Sequence, residues 1–265
     1  MERKFERNDF GKRLKSMLKV DFRRMFTMPL LYIVVGVCLV IPILILVMTT
    51  MMDGTVSVNP QTGVETVIEG FDNVWQTIGS VSGAAMSMDL TGMCNINMLY
   101  FFIAVLVGLF VAEDFRSGYS KNLFTVRAKK TDYVISKTLV GFVGGALMLL
   151  AFFIGAMLGG AIAGVSFELG EVGVAQIAAC MLSKLCLVAV FVPIYLAVSV
   201  AAKQKAWLSI VGSLCVGMLL FTMIPMLTPL DSGIMNVVLC LAGGAMFSVG
   251  LGAVSDLILR KTSLV

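Results

Sequence analysis

Six stretches of this chain, residues 29–52, 90–112, 138–167, 185–202, 206–230 and 232–255, carry no charged side chain. A run of this kind crosses about 30 Å of hydrocarbon once it coils into a helix of about 20 residues, because a helix rises about 1.5 Å per residue. The pattern predicts an all-α membrane protein with six transmembrane helices. A mean hydropathy of +0.97 and a hydrophobic content of 58% agree, since ordinary soluble domains hold about 45–50% apolar residues. Six spans take up nearly half of the 265 residues, which leaves a single transmembrane domain over 1–265 and no room for a large soluble one. In the fourth stretch the boundary is complicated: residues 172–182 are apolar too, and Lys184 interrupts the run ahead of Pro193. Lys184 is expected near the outer interface, its stem in lipid and its amine in water.

Lysine and arginine give the spans a direction, because cytosolic flanks and short loops retain them. Nine precede the first span (Arg3, Lys4, Arg7, Lys12, Arg13, Lys15, Lys19, Arg23, Arg24), and six lie between spans two and three (Arg116, Lys121, Arg127, Lys129, Lys130, Lys137). Lys203, Lys205, Arg260 and Lys261 fall on the same side. The opposite side holds only Lys184, with Asp53, Glu65, Glu69, Asp72, Asp89, Glu168, Glu171 and Asp231 in its connections. The expectation is a multi-pass protein of the cell membrane with both termini in the cytosol.

The first span is expected to stay as an anchor: its basic flank and apolar run are too long for a cleavable signal, and no A-x-A-like site follows. Within 1–28, Phe10, Leu14, Met17, Leu18, Phe22 and Met25 recur at helical spacing among Lys12, Arg13, Lys15, Lys19, Arg23 and Arg24. This suits an N-terminal helix lying on the cytosolic leaflet, or else a plain positive flank. On the outside, residues 53–89 form the longest connection. Val74, Trp75, Ile78, Val81 and Ala85 within 71–88 fit either an interfacial helix or a structured loop.

Several chemistries are excluded or disfavoured. The chain has no histidine, which removes His-based acid/base catalysis and His metal sites. Cys38, Cys94, Cys180, Cys186, Cys215 and Cys240 show no metal-binding spacing and read as small apolar residues. No GxxxxGK[ST] phosphate loop occurs, so the chain does not hydrolyse ATP by that device. No acid sits at membrane depth where a proton- or ion-coupled transporter would keep one. An enzyme is not expected, nor a nucleic-acid partner, nor a cofactor in this chain. Gly141, Gly145, Gly155, Gly159, Gly160 and Gly164 have small-xxx-small spacing and read as helix packing within one subunit. Pro42 and Pro193 are expected to kink spans one and four.

The connection between spans two and three, 113–137, is the most informative segment. Tyr119, Leu123 and Val126 fall at i, i+4 and i+7, with Ser120, Lys121, Asn122 and Thr125 on the other face, giving a short amphipathic helix. Thr131 is expected to cap the next helix, with Asp132 in its first turn. The string Glu113-Asp114-Phe115-Arg116-Ser117-Gly118-Tyr119-Ser120-Lys121-Asn122-Leu123, followed by Tyr133 and Lys137, resembles the permease subunits of ABC-2 type transporters. Asp21-Phe-Arg-Arg-Met-Phe-Thr-Met-Pro29 is similar to the basic stretch before their first span. Tyr119 stands where a threonine is frequent in such permeases, and Arg127-Ala-Lys-Lys130 replaces a more usual small-residue-plus-arginine turn.

The resemblance implies a separate ABC ATPase, which would hold the ATP and Mg, and a second permease copy or paralogue. It also implies a cytosolic coupling helix formed by Glu113, Asp114, Arg116, Gly118, Tyr119, Lys121, Asn122, Leu123, Phe124, Val126 and Arg127. On this reading Tyr119, Leu123, Phe124 and Val126 pack into an ATPase groove or against the membrane, Lys121, Asn122 and Arg127 make polar contacts, and Glu113 pairs with Arg116. The function expected is export of an amphiphilic cargo such as a peptide, antibiotic or lipid. The alternative is a membrane scaffold or immunity protein that binds a toxin or partner through its outer loop and transports nothing.

Overall fold

The computed structural model describes residues 10–58, 65–67, 70–80, 95–126, 129–170, 172–203, 205–221 and 223–261. Its elements in chain order are α1 (Phe10–Thr27), α2 (Pro29–Met52), β1 (Val56–Val58), β2 (Glu65–Val67), α3 (Leu99–Arg116), α4 (Tyr119–Val126), α5 (Lys130–Ala163), α6 (Val174–Ala202), α7 (Ala206–Phe221), α8 (Met223–Leu227) and α9 (Ile234–Lys261). The protein is all-α but for β1 and β2, an antiparallel pair of three residues each in the connection after α2. Among the described residues, five helices are long and apolar enough to cross a membrane, namely α2, α3 with the 3₁₀ turn before it, α5, α6 and α9. The sixth apolar stretch is divided into α7, of 16 residues, and the short α8.

Helices α3, α5 and α6 form the interior, where the core side chains Tyr100, Ile103, Phe152, Val188 and Tyr195 are buried. Around them α2 packs along α5, α7 against α3 and α6, and α9 mainly along α6. The outward faces of α2, α7 and α9 are apolar and exposed, among them Ile33, Leu44, Met218, Leu219, Met235 and Val249, as expected where lipid is the solvent.

Close approach of α2 to α5 depends on missing side chains. A Cβ on Gly155 would meet the Leu39 carbonyl oxygen at 2.2 Å, and one on Gly159 would meet Ile43 Cα at 2.8 Å. Such contacts are far inside van der Waals range, so the two backbones touch only because these positions are glycine. Pro42 and Pro193 lie inside continuous helices. Helix α5 stops at Gly164, whose φ of +72° closes a left-handed cap with its N–H on the Gly160 carbonyl.

Residues 71–80, left open between an interfacial helix and a structured loop, form a loop with a 3₁₀ turn at Val74–Thr77; residues 81–89 lie outside the described residues, and the expectations for Lys184 and Thr131 require correction. The turn is tied to the end of α5, with Trp75 Nε1 donating to the Phe167 carbonyl at 3.2 Å and the Val74 N–H donating to the Ser166 carbonyl at 3.1 Å. Helix α6 begins at Val174, eleven residues before the charge-free run, and carries Lys184 inside it. Lys184 does not reach water: it is fully buried, with Nζ donating to Asn97 Oδ1 at 2.8 Å and Thr228 Oγ1 at 2.9 Å. Both acceptors come from distant segments, which hydropathy along the chain does not register. Thr131 does not cap α5, which begins at Lys130 after Lys129; its hydroxyl donates instead to Asp256 Oδ1.

Helix α1 meets α2 through one extended residue. Met28 has φ −81° and ψ 120°, the conformation a residue is pushed into ahead of proline. Pro29 then starts α2, where its missing N–H costs nothing. Met17, Asp21 and Met25 form the buried edge of α1 and lie against α5, at the end of the bundle that carries the basic residues.

Candidate functional site

A cluster of buried charges joins four helices at the basic end. Asp114, near the end of α3, receives Arg24 Nη1 of α1 on Oδ1 at 2.5 Å. Its other oxygen, Oδ2, accepts from the Tyr133 hydroxyl at 2.9 Å and Lys137 Nζ at 2.6 Å, both from α5. Asp21 of α1 completes the group: Oδ1 accepts from Lys137 Nζ at 2.9 Å and Oδ2 from the Ser136 hydroxyl at 2.6 Å. Two carboxylates thus face two cations, and Asp21 and Asp114 have no exposed surface while Lys137 is 2% exposed. Buried charges in low dielectric are tolerated when paired and fully hydrogen-bonded, and both carboxylates meet that condition with both oxygens.

Aromatic faces complete the enclosure. The Arg24 guanidinium lies 4.0 Å from the centre of the Tyr119 ring, and Lys137 Nζ 3.8 Å from that of Phe110, both within cation–π range. Burial pushes the Tyr119 phenol above its usual pKa, and the Asp21 and Asp114 carboxylates push it the same way. Burial works against the charge on Arg24, yet attraction to Asp114 and the hydrogen bond they share raise its pKa overall.

Tyr119 opens α4, so the short helix is fastened to the cluster at its first residue. The reversal from α3 into α4 turns on Gly118, with φ +72°, a left-handed conformation that costs other residues about 1–2 kcal/mol. Ser117 stabilises the end of α3 through its hydroxyl on the Glu113 carbonyl at 2.7 Å. Leu123 and Phe124 are half-buried against the main core, and the Phe124 ring meets Tyr133 edge-on with centroids 5.5 Å apart. Lys121, Asn122 and Thr125 are exposed on the outer face of α4. Val126 ends the helix, and Arg127 lies outside the described residues.

Further pairs extend the network. Arg13 Nε reaches Asp132 Oδ2 at 3.1 Å, joining α1 to the first turn of α5. Asp256 of α9 accepts from Thr131 and pairs with Arg260 at 2.7 Å, and Lys130 Nζ donates to the Leu259 carbonyl. Glu113 and Arg116 do pair, at 2.9 Å, but both are exposed; such surface pairs contribute about 0–1 kcal/mol. The angle of α4 is therefore held by Asp114, Tyr119 and Gly118. Of the residues named from sequence, Asp114, Gly118, Tyr119, Leu123 and Phe124 are brought together, with Tyr119 and Phe124 turned towards the bundle. Asp21, Arg24 and Ser136, which complete the cluster, were not among the coupling residues named from sequence. The available signal was Asp21 itself, an acid on the apolar stripe of an otherwise basic helix, four residues from both Met17 and Met25.

In comparison with known protein families, residues 27–221 match the family described as "ABC-2 family transporter protein". The matched region runs from the end of α1 through α7 and includes α3, α4 and the start of α5, and so the Asp114, Tyr119, Tyr133 and Lys137 part of the charge cluster, while Asp21 and Arg24 precede it. It covers well over half of the chain. The chain belongs to the ABC-2 transporter family. It is accordingly a multi-pass membrane protein and the permease subunit of an ABC transporter, in a family whose membrane subunits carry out transport alongside an ABC ATPase. No curated protein and no solved structure gives a significant match.

Proposed function

We propose that this ABC-2 permease is the membrane half of an exporter, and that a separate ATPase drives it through the segment 113–137. The observation that carries this reading is the two-sidedness of α4. Its inner residues Tyr119, Leu123 and Phe124 pack on the charge cluster and core, while Lys121, Asn122 and Thr125 project outward with no core to fill. A mechanical link needs both properties, since a loosely attached loop would absorb the stroke and a fully packed one would offer nothing to hold. Through Asp114, Arg24 and Lys137, force on α4 passes directly to α1, α3 and α5.

In this scheme the basic end faces the cytosol, both termini lie there, and α7 with α8 makes the fifth of six crossings. ATP and Mg bind in the ATPase. Nucleotide-driven closure of two ATPases pushes α4, tilts α3 and α5, and opens a path between two permeases, identical or paralogous. The exposed apolar faces of α2, α7 and α9 meet lipid or that second permease. An amphiphilic cargo, such as a peptide, antibiotic or lipid, fits walls that are apolar with few charges.

The test is to purify the permease with its candidate ATPase and measure association and ATP turnover, using Lys121→Glu combined with Asn122→Ala. Neither side chain packs inside the permease, so its thermal unfolding should not change while association and turnover fall by at least tenfold. Survival of both in the double variant sinks the assignment of α4.

A further inference from the structure

A second buried polar site lies at the opposite end from the charge cluster, and its chemistry points to a ligand. Lys184 is fully buried, and its two partners, Asn97 and Thr228, are neutral. Among the described residues no carboxylate lies within ion-pair distance of its amine. An ammonium has three N–H groups to give, and two are used. A buried cation without a counter-charge is costly, and within a membrane such a residue marks a functional site by default.

Beside it is an apolar cavity of about 500 Å³ between α6, α7, α8 and α9. Leu187, Phe191 and Ile194 line it from α6. They lie three, seven and ten residues after Lys184, and so on the same face of the helix. From α8, Ile224 and Leu227 line the cavity, and the carbonyl of Ile224 accepts the Thr228 hydroxyl at 2.9 Å. The amine and the cavity thus share one wall. Met223, Met226 and Leu239 at the mouth are exposed on the lipid side.

We propose that cavity and lysine together bind a single-chain anionic amphiphile, entering sideways from the bilayer with its tail along Leu187, Phe191 and Ile194 and its head on Lys184 Nζ. The head is a carboxylate or a phosphate, either of which supplies the missing negative charge and an acceptor for the third N–H. Entry requires α8, the short wall between cavity and amine, to shift. The inference rests on the export reading, for which it names the cargo class.

The test uses the full chain in nanodiscs of zwitterionic lipid, without ATPase. Binding of radiolabelled dodecanoate, dodecyl phosphate, dodecanol and inorganic phosphate is compared. Wild type should bind one or both anionic amphiphiles at least tenfold more tightly than dodecanol, and the stronger of the two identifies the head group. Lys184→Met should erase that preference while leaving dodecanol binding unchanged, and Gly243→Leu, which fills the cavity, should weaken all three amphiphiles. Should Lys184→Met fail to fold, Asn97→Asp keeps the lysine but supplies a resident carboxylate, and should abolish the preference equally. Equal binding of dodecanol and the anions, a preference that survives both variants, or competition by inorganic phosphate at the concentrations of dodecyl phosphate each overturns the proposal. Because no ATPase is present, failure here leaves α4 coupling untouched, and failure of coupling leaves this result standing.

Discussion

Lys137→Met tests the charge cluster most directly. The variant keeps most of the apolar stem of the side chain but removes two ion contacts at once, at 2.9 Å to Asp21 and 2.6 Å to Asp114. Two buried carboxylates then share Arg24 alone, and the site gains a net charge of −1. Breaking a buried pair by deleting one partner costs about 3–5 kcal/mol, because the remaining charge stays desolvated. That corresponds to roughly a 150- to 5,000-fold change in the folded-to-unfolded ratio, at 1.36 kcal/mol per tenfold. The double variant Asp21→Asn with Lys137→Met restores neutrality, leaving Arg24 on Asp114, and should recover more than half of the loss. The assay is reversible unfolding of the purified permease in mixed micelles with increasing SDS, run as a double-mutant cycle. A cost below about 1 kcal/mol for Lys137→Met, the level of an exposed pair, refutes the reasoning, as does strict additivity of the two single changes.

Other expectations follow from the same packing. Gly155→Ala sets a methyl 2.2 Å from the Leu39 carbonyl, so it should separate α2 from α5 and lower the unfolding temperature by several degrees, whereas Gly36→Ala, which meets nothing within 4 Å, should not. Glu113→Gln breaks only an exposed pair and should change stability by less than about 0.5 kcal/mol in the same micelle titration. A cysteine at Asn122 should react with a membrane-impermeant maleimide only in opened cells, and one at Val56 in intact cells; the reverse pattern would invert the proposed orientation.

Much of the fold was legible because lipid imposes a long-range rule on a local pattern: every backbone group in a span must be satisfied within its helix, so charge-free runs mark helices directly. The stripe of Met17 and Met25 likewise announced α1. What sequence could not give was partnership at a distance. Lys184 reads as a boundary residue because its acceptors, Asn97 and Thr228, are 87 and 44 positions away. Asp21 is hidden for a similar reason, since the orientation rule counts cations and passes over the one acid within α1. At the candidate site, the motif around Asp114 and Tyr119 was visible, whereas its support from Arg24 and Ser136 depended on how α1 folds back over α5. Glu113 and Arg116, three residues apart and opposite in charge, drew attention to a pair that geometry leaves in the open.

The charge cluster also imposes an order in time. Asp21 and its partners Ser136 and Lys137 are 115 and 116 residues apart. A ribosome adding about 5–20 residues per second takes about 6–23 s to cover that distance. Throughout that interval Asp21 lacks its partners on α5, although Asp114 and Tyr119, which hold Arg24, are made before Lys137. The two charges of α1 are thus satisfied in sequence, Arg24 when α3 is made and Asp21 only when α5 follows.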